Sequence, residues 1–280
     1  MTLEVIEVNG LATIQDFGRT GSRRFGVSAS GPMDGFAFCA ANALAGNARN
    51  DAAIEIGLGD IAFRAGQDCV VAVTGVGYGL SVYIWDFPLW GSFHVRSGWT
   101  VRLNKTDDGM WVYLAVAGGV QTQPRLGSRS TYLRGALGGF EGRSLQAGDR
   151  IPIGKPTRRL DNLAARTLPP AARPAYGNDA AVDLIMGPQE NLFTRESIET
   201  FLSSEYSVSI TSDRMGYRLE GPALTLCKTR ELISEGMTPG AIQVPSSGQP
   251  IVMMADCPTT GGYPKIAAIS SADLPLLAQC

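Results

Sequence analysis

Between Ala52 and Gly119 the chain is written in short apolar runs that glycine keeps interrupting: AIEIGL, IAFRAG, CVVAVTG, LSVYIW, FHVRSGWTVRL and WVYLAVAGG. The runs recur at close to the roughly 8 to 12 residues typical of sandwiches and barrels, and they leave no room for helices of ordinary length. The first half is therefore expected to be β-dominated. Its opening agrees: Leu3 to Val8 alternates with a period of two, and Asn9-Gly10 is a turn signal. One helix interrupts the pattern. After Ser30-Gly31-Pro32-Met33-Asp34, the segment GFAFCAANALAGN places apolar residues at three- and four-residue spacing until Gly46-Asn47 stops it. Asp34 stands where a helix cap would.

From Arg158 to Asn178 the chain turns rich in proline and alanine, with Pro169, Pro170 and Pro174. Proline favours extended backbone, so residues 169–178 are expected to be a linker between an N-terminal domain, 1–168, and a C-terminal one, 179–280. In the second half VDLIMG reads as a strand. FTRESIETFLSS reads as a helix with Thr194 as its cap, Glu196 in the first turn and Phe193, Ile198, Phe201 and Leu202 at helical spacing. YSVSIT, IQVP, PIVMMAD and KIAAIS return to β, and SADLPLLAQ closes as a short helix capped by Ser271.

Composition excludes several functions. The chain has 280 residues, 44% of them hydrophobic and 18% charged, with a net charge of −2 and no basic stripe suited to a nucleic-acid backbone. The longest apolar stretch, Val70 to Tyr83, is broken by Gly75, Gly77 and Gly79 and falls short of a spanning helix. MTLEVIEVNG lacks the features of a secretory signal, and five cysteines without a Cys-x-x-Cys pair suit reduced thiols, so a cytoplasmic location is expected. His94 is the single histidine, which argues against a histidine-based triad or a multi-histidine metal site. TGVGYGLSV has Leu80 where a dinucleotide fingerprint needs its last glycine, and Gly154-Lys155 is followed by Pro156 rather than a hydroxyl residue.

The longer motifs are GLATIQDFGRTGSRRFGVSASGPMDGFAFCAANALAGN near the start, and SDRMGYRLEG, EGMTPGAIQVPSSGQPIVMMAD and TTGGYPKIAAIS near the end. On these motifs the chain resembles the carboxyltransferase/allophanate hydrolase subunit 2 family, which includes the C-type subunits of 5-oxoprolinase and urea carboxylase carboxyltransferase-like proteins. The resemblance runs from Gly10 to Glu55 and from Ser212 to Ser270. It implies two cyclophilin-like β-barrel domains, mainly β with a few helices, and a cleft completed by a subunit 1-type (5-oxoprolinase B-like) partner. Cys257 and Pro258 stand where the family pattern has a basic residue and a glutamine, and relatives continue beyond the position of Cys280, which implies a chain shortened at that end.

By residue type, Arg214, Tyr217, Asp256 and Lys265 are the expected catalytic set, since guanidinium, phenol and ammonium groups can hold a carboxylate, carbamate or phosphate. Arg218, Gln243, Ser246, Gln249, Thr260, Gly261, Gly262 and Tyr263 are expected to bind substrate, the glutamines and serines reading a ureido or lactam group and the Thr-Thr-Gly-Gly turn receiving an oxyanion. Asp34 and Glu55 are carried as further substrate contacts, against the alternatives of a helix cap and a partnered strand carboxylate. The resemblance implies three functions. The first is ATP-dependent opening of 5-oxoproline to glutamate together with subunit 1-type (B-like) and lactam-utilisation (A-like) partners. The second is carboxyl transfer to a urea-like nitrogen from carboxybiotin supplied by another chain. The third is a regulatory binding role that relieves the partner's inhibition of a sensor kinase.

Overall fold

Alternation with a period of two decides which residues of the first unit face inward. In the computed structural model, which describes residues 1–106, 108–227 and 232–280, the chain divides into two units. The first comprises Met1–Arg19, Ser30–Ala180 and Ala278–Cys280, and the second comprises Thr20–Ala29 and Ala181–Leu277. The partition is discontinuous in sequence, whereas the expected one was contiguous.

The first unit contains strands β1 (Thr2–Val8), β2 (Leu11–Gln15), β3 (Ala53–Gly57), β4 (Ile61–Ala65), β5 (Cys69–Gly75), β6 (Tyr78–Val82), β7 (Trp85–Phe87), β8 (Gly91–Val95), β9 (Thr100–Lys105), β10 (Trp111–Val116) and β11 (Arg150–Pro152), with helix α1 (Gly35–Ala45). They form two antiparallel sheets, ordered β11-β1-β4-β9-β6-β7 and β2-β3-β10-β5-β8. Leu3, Val5, Phe63, Val101 and Leu103 from one sheet join Ile14, Ile54, Ile56, Val71, Val73, Val112 and Leu114 from the other in one buried core. Each such side chain contributes about 1.5–3 kcal/mol by leaving water. Within the described residues no pairing between end strands closes either sheet into a barrel.

The residues between these core positions lie on the other face of the second sheet, under α1. Thr74 of β5 donates its hydroxyl to the Ala37 carbonyl at 2.6 Å. The helix begins at Asp34, whose Oδ1 accepts from the Ala37 N–H at 2.9 Å, and stops at Gly46, whose φ of 74° suits a residue without a Cβ. The proline-rich stretch, expected to be an extended linker, is fastened to this unit. The Arg173 Nε donates to the Leu168 carbonyl at 2.9 Å, and the Tyr176 ring stacks on Trp90 with centroids 6.1 Å apart.

The second unit contains β12 (Leu184–Met186), α2 (Arg195–Ser203), β13 (Ser207–Val208), β14 (Gly216–Glu220), β15 (Glu235–Gly236), β16 (Ala241–Gln243), β17 (Ile251–Met253), β18 (Thr260–Gly261) and β19 (Lys265–Ile269), followed by α3 (Leu274–Ala278) as far as Leu277. Six of its strands form an antiparallel sheet in the order β12-β19-β16-β17-β14-β13, and β15 pairs with β18 as a separate two-stranded ribbon. Thr194 caps α2 through its hydroxyl, which accepts from the Ser197 N–H at 3.1 Å. The turn into α3 is organised by Ser270 rather than Ser271: the Ser270 carbonyl accepts from the Asp273 and Leu274 N–H groups. The mainly-β expectation with a few helices describes this architecture.

Candidate functional site

In the second unit the chemistry gathers around the β15–β18 ribbon. Lys265, at the start of β19, donates its ammonium to Glu235 Oε2 at 2.6 Å. Gln189 joins the pair twice, its Nε2 donating to the same Glu235 oxygen at 2.9 Å and its Oε1 accepting from the Lys265 N–H at 3.1 Å. The Lys265 side chain is 14% exposed and that of Glu235 is 50% exposed. The Lys265 hydrogen bond, with Gln189 and the ammonium charge behind it, holds the Glu235 carboxyl below its ordinary range. Gln243 is buried next to them; its Nε2 donates to the Tyr263 carbonyl at 3.1 Å, and its amide packs so closely on Gly261 that a Cβ there would lie 2.5 Å from Nε2. The Thr-Thr-Gly-Gly segment, expected as an open turn, thus supplies a paired strand, and Thr260, Gly262 and Tyr263 remain exposed on it.

The other flank of the ribbon is an open cleft of about 510 Å³ lined by Arg23, Arg24, Gly26, Gly236, Met237, Thr259 and Thr260. Its floor is fixed by Arg23, whose guanidinium donates to the Met237 carbonyl and, at 3.1 Å, to the Pro258 carbonyl. The same group lies 3.8 Å from the buried Cys257 Sγ. Burial raises the Cys257 thiol above its usual value and the Arg23 charge opposes that rise, so Cys257 serves as packing rather than as a thiolate.

Arg214 and Asp256 form a forked ion pair, Nε to Oδ2 at 2.9 Å and a terminal nitrogen to Oδ1 at 3.1 Å, with side chains only 4% and 5% exposed. The Asp256 N–H also donates to the Arg214 carbonyl at 2.7 Å, so the pair anchors the turn that leads into Cys257 and Pro258. Strand alternation separates two expected neighbours: Tyr217 is buried in β14, whereas Arg218 points the other way and is exposed. Gln249 exchanges hydrogen bonds with the backbone of Gly221, at 3.1 and 3.0 Å, and Ser246 is exposed on a loop. Lys265, Gln243, Gly261 and Tyr263 therefore come together, and Arg214 meets Asp256. Gln189 and Glu235 were missed by sequence reasoning, and Arg23 is not among the expected site residues. The arginine motif GSRRFG was the only signal for Arg23, and nothing local marks the other two.

Asp34 and Glu55 lie in the first unit, both fully buried. Glu55 Oε2 accepts from the Met33 N–H at 2.8 Å and the Tyr113 hydroxyl at 2.7 Å, and the Tyr113 oxygen in turn accepts from the Asp34 N–H at 2.8 Å. Asp34 Oδ2 accepts from the Tyr176 hydroxyl at 2.6 Å and from Gln279 Nε2 at 2.8 Å. These are the partners a buried carboxylate requires, and they support the structural alternative for both residues. Burial pushes the Asp34 carboxyl up, and the donors from Tyr176, Ala37 and Gln279 oppose the rise. Asp34 therefore binds its proton more tightly in the folded chain than in the unfolded one. Its contribution to stability is fully present below the ordinary carboxylate value of about 3.9 and is lost as pH rises through the raised value. Asp34→Asn keeps an acceptor for Ala37 and is expected to lose less stability between acid and neutral pH than the parent does. Urea midpoints across that range check this, and equal slopes would contradict it.

Among the described residues there is no group of three or more His, Cys, Asp or Glu placed to hold a metal ion, and no helix is long and apolar enough to cross a membrane. Among the described residues, none of the five cysteines is in a disulfide.

Comparison with known proteins places this geometry. Residues 25–280 match the family model described as carboxyltransferase domain, subdomain A and B. The chain is 41% identical over 279 residues to the C subunit of 5-oxoprolinase from Escherichia coli (strain K12), covering 99% of this chain and 87% of that protein. It is 30% identical over 289 residues to the urea amidolyase of Saccharomyces cerevisiae, covering 97% of this chain but 16% of that one. Among solved structures, the Kluyveromyces lactis urea carboxylase superposes with a TM-score of 0.92 at 28% identity, over 99% of this chain and 26% of that chain. With a family model matched over most of its length and a relative 41% identical across nearly all of it, the chain belongs to the carboxyltransferase domain family, subdomains A and B.

Proposed function

We propose that the chain is the C-type component of an ATP-dependent 5-oxoprolinase, which opens the lactam of 5-oxoproline to glutamate together with subunit 1-type (B-like) and lactam-utilisation (A-like) partners in the cytoplasm. The observation that carries this reading is the 41% identity to the C subunit of 5-oxoprolinase over 99% of the chain. Its site is the ribbon region of the second unit. Lys265 offsets negative charge on the substrate, Thr260, Gly262 and Tyr263 are the exposed groups beside it, Gln243 and Gly261 hold the ribbon, and Arg214 with Asp256 fixes the turn below. Placing a cation where charge develops is the most effective contribution such a site can make.

The same residues do not fit the triphosphate of ATP. Arg23 is committed to two carbonyls and Arg214 to Asp256, Lys265 already shares its charge with Glu235, and Arg24 adds a single exposed cation at the cleft, too little positive charge for a triphosphate. In this reading the nucleotide belongs to one of the partner proteins.

A second reading, biotin-dependent carboxyl transfer to a urea-like substrate, is favoured by the superposition on urea carboxylase. Carboxybiotin, brought by another chain, would supply the carboxyl group, with Thr260 and Tyr263 beside its ureido ring and Lys265 beside its carboxylate.

An omission test addresses the first reading. The chain is co-expressed with the B-like and A-like proteins, and glutamate formed from 5-oxoproline and ATP is measured. The complete set is expected to form glutamate, and the set lacking this chain is expected to form none above background. Equal release without the chain would remove it from the reaction.

A further inference from the structure

The first unit has a cleft of its own, about 430 Å³, between the segment 121–125 and the glycine-rich stretch ALGGFEG at 136–142, with Pro152 at its edge. Gly138 and Gly139, with φ of 73° and 56°, and then Glu141 and Gly142, with φ of 57° and 72°, make two successive tight turns in left-handed backbone. Such turns form concavities of backbone N–H groups that receive anions. Three N–H groups here are used internally: that of Gly139 by the Arg129 carbonyl at 2.9 Å, that of Gly142 by the Gly138 carbonyl at 2.8 Å, and that of Arg143 by the Phe140 carbonyl at 3.3 Å. Phe140 is bridged to Arg143, and the N–H groups of Gly138 and Glu141 have no partner among the described residues.

The side chains of the cleft point to the same chemistry. Thr122, 6% exposed, lines the cleft, and its hydroxyl has no partner among the described residues. A buried hydroxyl left this way is costly unless something satisfies it. The charges at the rim are largely spent: Glu141 is paired with Arg143 at 3.0 Å, which also holds Asp149 at 2.7 Å, and Arg129 donates to the Thr122 carbonyl and to Gln121 Oε1. Arg125 lines the cleft with its guanidinium unpaired among the described residues. Ala136, Leu137 and Pro152 add apolar wall.

We propose that this cleft is a binding site for a small monocarboxylate, its oxygens received by Arg125, Thr122 and the turn N–H groups and its carbon body by Leu137 and Pro152. One uncompensated cation matches one negative charge, which favours a carboxylate over a phosphate dianion. The proposal is independent of the reading given for the ribbon region.

The test is a titration of the ¹⁵N-labelled chain with sodium acetate and, separately, with inorganic phosphate at constant ionic strength, followed through the backbone amides. Saturable shifts are expected at Gly138 and Glu141 with acetate, binding more tightly than phosphate. Arg125→Ala, an exposed change that leaves the core intact, is expected to weaken acetate at least tenfold, while Arg158→Ala, also exposed but away from the cleft, leaves it unchanged. Shifts that do not saturate, shifts that survive Arg125→Ala, or tighter binding of phosphate would each overturn the proposal.

Discussion

Replacing Lys265 with alanine in the assembled complex is expected to lower ATP-dependent glutamate release by about 100-fold or more, because removing one preorganised charge-stabilising donor typically has an effect of about 10²–10³. The ammonium of Lys265 is mostly shielded from water, 2.6 Å from Glu235 and fixed at its root by Gln189. A cation held in this way acts on a substrate more strongly than a mobile surface lysine does. The same substitution should barely alter stability, since an ion pair with one half-exposed partner contributes little. A thermal midpoint close to the parent's together with a collapsed rate would therefore support a role in the reaction. An unchanged rate would reduce Lys265 to a fastening for the ribbon. Lys265→Arg keeps the charge in a planar group that cannot occupy the same point, and an intermediate rate is expected.

The largest stability effect is expected from Asp256→Ala. Its partner Arg214 is 4% exposed and loses a two-pronged hydrogen bond. Breaking a buried ion pair from one side costs about 3–5 kcal/mol, because the remaining charge stays in a poorly solvated place. The loss should fall on the second unit and show in the urea transition reported by probes there. The pair Arg214→Met with Asp256→Leu should be less harmful than Asp256→Ala alone, since no charge is then stranded. A loss below about 1 kcal/mol for the single change would mean that water or another group compensates Arg214 more fully than its burial indicates.

Much of this architecture is legible in local pattern. The glycine-punctuated runs from Ala52 to Gly119 became strands β3 to β10, and Asp34 and Gly46 bound α1 because a short acceptor and a residue free of Cβ strain are what the two ends of a helix need. The ends of α3 show the limit of such reasoning: Ser270 and Ser271 are equivalent in sequence, and only the fold decides that the Ser270 carbonyl closes the turn. Arg23 was legible as a charge but not as a wedge, because its acceptors are main-chain carbonyls of Met237 and Pro258, more than two hundred residues away, and carbonyls leave no trace in side-chain chemistry. Gln189 and Glu235 stand 76 and 30 residues from Lys265, so their convergence comes from the pairing of the ribbon and sheet. Arg218 and Tyr217, adjacent in sequence, part company for the opposite reason. Neighbours in a strand face opposite ways, which the alternating pattern of GYRLE already contains.

The most direct test of the proposed function is glutamate release from 5-oxoproline by the complete complex, with and without ATP, and again with excess avidin to sequester biotin. Release that requires ATP and is indifferent to avidin is the expected result. No release from a properly assembled complex, or release that avidin abolishes, would contradict the oxoprolinase reading and favour biotin-dependent carboxyl transfer.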